Sequence, residues 1–146
     1  MKKRAKIICL TIAVLFAAIW GLSEVPLFET GLEAYVQQDF ETALSEWKPL
    51  AENKGFLATP DGPLCMIGVC YEEEDVTKAQ YNLGAMYASG HGVPQDNIRA
   101  LMWMNIAASK GFKTALKYKD VIAKKMSPAQ IAEAQKLVQE YTKGVE

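Results

Sequence analysis

The chain has 146 residues, half of them hydrophobic, with 16 lysines and arginines against 17 aspartates and glutamates and one histidine, for a net charge of −1. Charge of that size, with no basic stripe interleaved with aromatics, excludes a continuous nucleic-acid surface. A single histidine excludes a three-histidine zinc site.

The chain opens on four basic residues within Met1 to Lys6, followed by an uncharged apolar run from Ile7 to Leu22. Basic and then apolar is the order of a secretory signal, and the run is short for a membrane span, which needs roughly 20 residues. Residues 1–23 therefore read as a signal peptide, with an uncleaved N-terminal membrane anchor as the alternative. Gly21 and Ser23 are small residues near a cleavage point, although no Ala-x-Ala is present. In either case the basic end stays in the cytoplasm and the remainder is exported. Cys9 lies within the apolar run and does not read as a lipid attachment site.

Beyond Ser23 the chain carries 12 basic and 17 acidic residues, a net charge of −5. The charge is also polarised, with 13 acidic and 3 basic residues from Glu24 to Ile98, then 4 acidic and 9 basic from Arg99 to Glu146. Solvated faces of successive helices account for this; two ends that attract differently charged partners are the other reading. The exported part suffices for one domain of five to seven helices. No strand-period alternation and no hairpin dipeptide between apolar runs is evident, so the fold class is all-α.

Leu27 to Gly55 reads as two helices. Leu32, Tyr35 and Val36 mark a short first one; Asp39 caps a second, striped by Phe40, Ala43, Leu44, Trp47, Leu50 and Ala51. Pro49 is expected to kink or shorten it. Asp39, Ala43, Leu44 and Ala51 recur as Asp96, Ala100, Leu101 and Ala108 at a constant offset of 57.

With a helical repeat of about 36 residues as the period, that offset leaves a surplus of roughly 21 residues, which falls in segment 56–76. Ile67, Gly68 and Tyr71 there match Leu83, Gly84 and Tyr87 at an offset of 16. Pro63 to Glu74 therefore reads as an extra half-repeat, a first helix without its partner, with Asp61 and Pro63 in its N-cap region; an irregular loop is the alternative. The run Glu72, Glu73, Glu74, Asp75 reads as a solvated helix end, because four consecutive carboxylates cannot converge on one cation. Cys65 and Cys70 bear on the same choice. Residues five apart on a helix have Cα atoms about 8 to 9 Å from each other, and a disulfide tolerates about 7 Å at most. A helix and a Cys65–Cys70 disulfide thus exclude each other. The helix is the preferred reading, and a loop closed by the disulfide in an oxidising compartment is its competitor.

Ala79 to Gly111 is the most regular stretch. Ala79, Leu83 and Tyr87 recur every four residues, as do Ala100, Met104 and Ala108, with Trp103 and Ala107 beside them, so two apolar stripes of helical period face each other. Gly84, Ala88, Ala100, Ala107 and Ala108 keep the backbones close, while Tyr81, Tyr87 and Trp103 fill the space that remains. Gly90 and Gly92 can take positive φ where the chain reverses, Pro94 stops the first helix, and Asp96 sits at the N-cap of the second.

The run LGAMYASGHGVPQD from Leu83 to Asp96, followed by Ala100, Trp103, Ala107, Ala108 and the closing Gly111, resembles a Sel-1-like repeat, of the tetratricopeptide-like α/α class. The resemblance covers the whole of 77–111 and, more weakly, its flanks; 27–55 is then a degenerate copy with a tight turn in place of the glycine loop. It implies a short right-handed α/α solenoid of about three helical hairpins that binds other proteins, in bacteria often exported ones, and it implies no chemistry or cofactor. With the N-terminal segment it places the protein in the periplasm, or anchored to the inner membrane and facing the periplasm. In the wider class the position of Asn82 often faces the groove, so Asn82, with Tyr81 and Met86 beside it, is the candidate contact set for a protein or peptide partner.

From residue 112 a third pair of helices is expected, to 146. Ala115, Leu116, Tyr118, Val121, Ile122 and Met126 give one face; Ser127, Pro128 and Gln130 form a capping box with proline at the first helical position; Ile131, Ala134, Leu137, Val138 and Tyr141 give the last stripe, ended by Gly144. Seven lysines between Lys113 and Lys143 suit the polar outer surface of a terminal cap.

No catalytic or metal site emerges. His91 reads as an exposed bystander in the glycine loop, and Asp39, Asp61 and Asp96 as helix caps. The expected function is a non-catalytic protein–protein interaction module of the bacterial cell envelope. The alternative is an envelope hydrolase acting on cell-wall or β-lactam substrates. Some cysteine-rich relatives of the repeat suggest that role, but their paired cysteines are missing between Ala79 and Glu146.

Overall fold

A computed structural model describes residues 28–52, 64–66, 69–71 and 73–143. The proposed signal or anchor segment 1–23, the capping residues Asp61 and Pro63, and Gly144 lie outside the described residues. Among the described residues six helices follow one another: α1 (Phe28–Val36), α2 (Phe40–Glu52), α3 (Glu73–Ser89), α4 (Asn97–Ser109), α5 (Lys113–Ala123) and α6 (Pro128–Lys143). Between α2 and α3 lie two three-residue strands, β1 (Leu64–Met66) and β2 (Val69–Tyr71), paired antiparallel.

Each of the helices α1 to α4 packs on the next, which makes the chain a short α/α solenoid. The last pair is arranged differently. α5 and α6 both pack on α4, and α6 closes the end of the stack. This explains why α4 is the most buried helix: Ala100 to Met104, Ile106 and Ala107 are all buried, several at 4% exposure or less. It has neighbours in α3, α5 and α6 and little surface left for water.

The core is built from small residues where backbones approach and from large ones where they part. A Cβ on Gly84 would stand 3.2 Å from Trp103 Cβ and 3.3 Å from the Ala100 carbonyl, so the glycine sets the α3–α4 spacing. Leu83, Met86, Met104 and Trp47 are 1% exposed or less and fill the layers around it. The caps expected from the sequence form. Asp96 Oδ1 accepts from the amides of Ile98 and Arg99 at 2.9 and 3.0 Å, Asp39 Oδ1 from that of Thr42 at 3.1 Å. Ser127 and Gln130 exchange backbone-to-side-chain bonds at 2.9 and 3.3 Å. Gly90 and Gly92 take φ of 77° and 69° in the reversing loop.

Four local expectations need correction. The helix expected over 63–74 is not formed: its centre is the β1–β2 ribbon, and α3 begins at Glu73. β-branched and aromatic residues such as Val69 and Tyr71 suit a pleated strand, and local matches to the repeat pattern did not outweigh that. The acidic run falls not at the end of an extra helix but, from Glu73 to Asp75, at the start of α3, where the helix dipole favours negative charge. Pro49 does not end α2 early, since the helix runs three residues beyond it. On α5 only Ala115 and Ile122 of the expected face are buried, while Leu116, Tyr118 and Val121 are about half exposed at 50, 51 and 50%, because α6 packs on α4 and not on α5.

Candidate partner-binding face

One face open to a partner lies on the exposed side of α3 and α5. Lys78, Tyr81, Asn82 and Ala85 are spaced to share one face of α3, and all four are half-buried. That face runs between α1 and α5. On one side the Lys78 ammonium stands 5.8 Å from the centre of the Phe28 ring of α1. On the other, the Tyr81 ring packs 5.1 Å from Phe112 and 6.0 Å from Tyr118 of α5. Tyr118 and Val121, three residues apart, continue the surface along α5. Leu116 projects from the opposite flank of that helix and is no part of it.

Charges on this face are held in place. Lys78 Nζ lies 2.8 Å from Glu74 and 3.9 Å from Asp75, and its hydrogen bond to Glu74 holds the ammonium above the usual lysine value. Burial pushes the Tyr81 phenol up, with smaller contributions from Tyr118 and Tyr35. Tyr81 therefore remains neutral, an apolar ring with one polar tip, over the whole physiological range. The exposed charged side chains of α5 and the turn after it are Lys113, Lys117, Lys124 and Lys125 with one acid, Asp120.

Of the three contact residues expected from the sequence, the structure brings Tyr81 and Asn82 to this face and places Met86 elsewhere. Met86 has no exposure and belongs to the core, so its contact role is corrected to packing. Tyr118 and Val121 were misjudged from the sequence as core. Their helical period matched a buried face, and only the packing of α6 on α4 shows that the face is left open.

His91 is likewise no bystander. Its ring stacks on Phe40 at 4.4 Å and 16°, and Nδ1 lies 3.0 Å from the Tyr35 hydroxyl. The glycine loop thus fastens the second hairpin to the first: a Cβ on Gly92 would stand 2.9 Å from the Phe40 backbone oxygen. Two open recesses flank this architecture, one of 490 Å³ lined by Tyr87, Pro94, Asp96, Arg99 and Gln130, the other of 310 Å³ lined by Glu73, Glu74, Thr77, Lys110 and Phe112. In the first, Asp96 caps α4 and Arg99 lies over the Tyr87 ring at 5.6 Å. Among the described residues no group of three histidine, cysteine or acidic side chains is placed to hold a metal ion, and no helix is long and apolar enough to cross a membrane.

The profile of the Sel1 repeat family matches residues 77–112, which cover α3 from Thr77 onward, the glycine loop and α4. Residues 77–112, about a quarter of the chain, thus carry a Sel1 repeat match. Sel1 repeats are generally non-catalytic protein-interaction modules. Among solved structures, the chain is similar to the crystal structure of c5321, a protective antigen present in uropathogenic Escherichia coli strains and displaying an SLR fold, at 20% identity and a TM-score of 0.47. The alignment covers 92% of this chain and 30% of that one, so the chain spans under a third of the length of c5321. No curated protein matches the sequence. The matched range includes Tyr81 and Asn82 but neither Tyr118 nor Val121.

Proposed function

We propose that this Sel1-repeat chain is an adaptor or regulator of the bacterial cell envelope that holds a protein segment along the exposed face of α3 and α5. The observation that carries the reading is the contiguous, half-exposed aromatic surface of Tyr81, Phe112 and Tyr118, extended by Val121 and Asn82. Tyrosines that are already packed against each other offer apolar area with little further loss of side-chain entropy on binding, which favours recognition. The excess of lysine on α5 favours an acidic peptide over a basic one. Placement in the periplasm, free or anchored in the inner membrane, follows from the basic and apolar order of residues 1–23. The non-catalytic reading rests on the character of the repeat and on the structural employment of His91.

The test compares proteins retained from an envelope extract by the wild-type chain, by Asn82→Ala and by Tyr118→Ala with Val121→Ser. Because these side chains are half-exposed, the variants should melt with the wild type while losing a specific retained protein, and that loss should deepen with salt. Retention unchanged in all the variants would remove this face from the function. Fractionation of cells expressing the chain checks the location, and recovery in the cytoplasm would overturn it.

A further inference from the structure

The ribbon between α2 and α3 answers the question that the helix expected there had closed. In its register Leu64 pairs with Tyr71, Cys65 with Cys70 and Met66 with Val69. Only two residues separate Met66 from Val69, so that pair closes the ladder. In an antiparallel ribbon closed by a two-residue connection the closing pair exchanges hydrogen bonds and the next pair does not. Cys65 and Cys70 are that next pair. Residues opposed at such a position share one face of the ribbon, with Cα atoms about 4.5 Å apart, inside the range of about 4.4 to 6.8 Å that a disulfide spans. The sequence spacing that forbids the bond on a helix permits it in this register.

Two further features favour a covalent closure. The strands make their principal contacts with each other and few with any described helix, and a two-stranded ribbon standing by itself is marginal in water. Both cysteines also fall in the surplus of roughly 21 residues beyond the repeat period.

We propose that Cys65 and Cys70 form a disulfide across this ribbon, made by exchange with a disulfide donor, either an oxidised dithiol protein or a small disulfide. One thiolate attacks the donor, forming a mixed disulfide and releasing one donor thiol; the second thiolate then attacks the protein sulfur of that mixed bond and releases the other. The chain's two thiols are oxidised, the donor's disulfide is reduced to two thiols, and the two protons pass to the released thiolates.

The sequence supplies a convenient readout. No lysine or arginine lies between Lys54 and Lys78, so trypsin releases both cysteines in one peptide, 55–78. The full chain is treated with oxidised glutathione under native conditions, denatured, alkylated and digested. The expected result is a peptide that carries no alkyl group and is lighter by two hydrogens, and that accepts two alkyl groups once reduced beforehand. Cys65→Ser should leave Cys70 open to alkylation or glutathionylation without reduction. A wild-type peptide that takes two alkyl groups without reduction, keeps glutathione on either cysteine, or is linked to Cys9 or to a second chain would overturn the proposal. The readout involves no partner, so it stands or fails separately from the binding face.

Discussion

His91 and Phe40 stack face to face across the boundary between the first two helical hairpins, their ring centres 4.4 Å apart. The same imidazole reaches the Tyr35 hydroxyl at 3.0 Å, so one loop residue ties to both helices of the preceding hairpin. Stacking and a neutral hydrogen bond contribute on the order of 1 kcal/mol each. His91→Ala should destabilise the chain by about 1 to 2 kcal/mol in urea unfolding. Tyr35→Phe, which removes only the hydroxyl, should cost about 0.5 to 1.5 kcal/mol. The double variant should cost less than the sum, because both changes break one hydrogen bond. Strict additivity would mean that the bond contributes nothing.

A second lock joins three parts of the stack. Gln80 has no exposure, and its Nε2 donates to the Ala51 carbonyl and to the Tyr141 hydroxyl, both at 3.2 Å, while Tyr141 donates to the same carbonyl at 2.9 Å. The terminal helix α6 is thereby fixed to α2 across α3. Tyr141→Phe deprives Gln80 and Ala51 of a partner and should lower stability by roughly 1 to 3 kcal/mol.

The same tyrosine sets an alkaline limit. Burial holds the Tyr141 phenol above its ordinary value of 10.0, against a smaller opposing effect of the Gln80 bond. The folded state therefore keeps a proton that the unfolded chain has released, and the associated stability is complete below about pH 10 and is lost as pH rises through the folded value. Urea midpoints measured from pH 8 upward should fall above about pH 10, and should fall less steeply in Tyr141→Phe. Equal slopes in the two proteins would show that another group governs the loss.

Much of this was legible in the chain itself, and for definite reasons. In Ala79 to Gly111 local propensity, caps and period agree, so the helices, the loop and the role of Gly84 follow from spacing. The failures have a common origin. Tyr118 and Val121 have the period of a core face, but whether a face is covered depends on where α6 goes, and α6 chose α4. Gln80 is polar, and nothing local says that its amide is buried at a junction of three helices. The ribbon was hidden because Ile67, Gly68 and Tyr71 imitate the repeat pattern, and only pairing across the turn separates a strand from a short helix there.

Two glycines ought to respond differently to the same substitution. A Cβ at Gly31 would lie 2.7 Å from Trp47 Cδ1, against an indole that is 1% exposed and held by its bond to the Phe28 carbonyl at 3.2 Å. Gly31→Ala has no room and should cost about 1 to 3 kcal/mol by overpacking. At Gly84 the nearest atoms stand at 3.2 and 3.3 Å, so Gly84→Ala requires a shift of a few tenths of an ångström that a helix-propensity gain of about 1 kcal/mol offsets. Gly84→Leu, in contrast, must force α3 from α4 and should lose several kcal/mol. Thermal melts should rank the variants with Gly84→Ala nearest the wild type, and a Gly84→Leu protein that melts with the wild type would refute the packing of this hairpin.

The tight turn between α1 and α2 contains a correctable strain. Gln38 takes φ of 63°, the only non-glycine residue among those described to do so, and a left-handed backbone costs an L-residue roughly 1 to 2 kcal/mol. The chain tolerates it because the amides of Gln38 and Asp39 still find the Tyr35 and Ala34 carbonyls at 3.1 and 2.9 Å, and because Asp39 must start α2 directly afterwards. Glycine relieves the strain but gives the unfolded chain more freedom. The Gln38 side chain is exposed, so nothing else is lost. Gln38→Gly should therefore raise stability by about 0.5 to 1 kcal/mol in urea unfolding. A decrease would show that Gln38 makes a contact in the folded chain that outweighs its backbone.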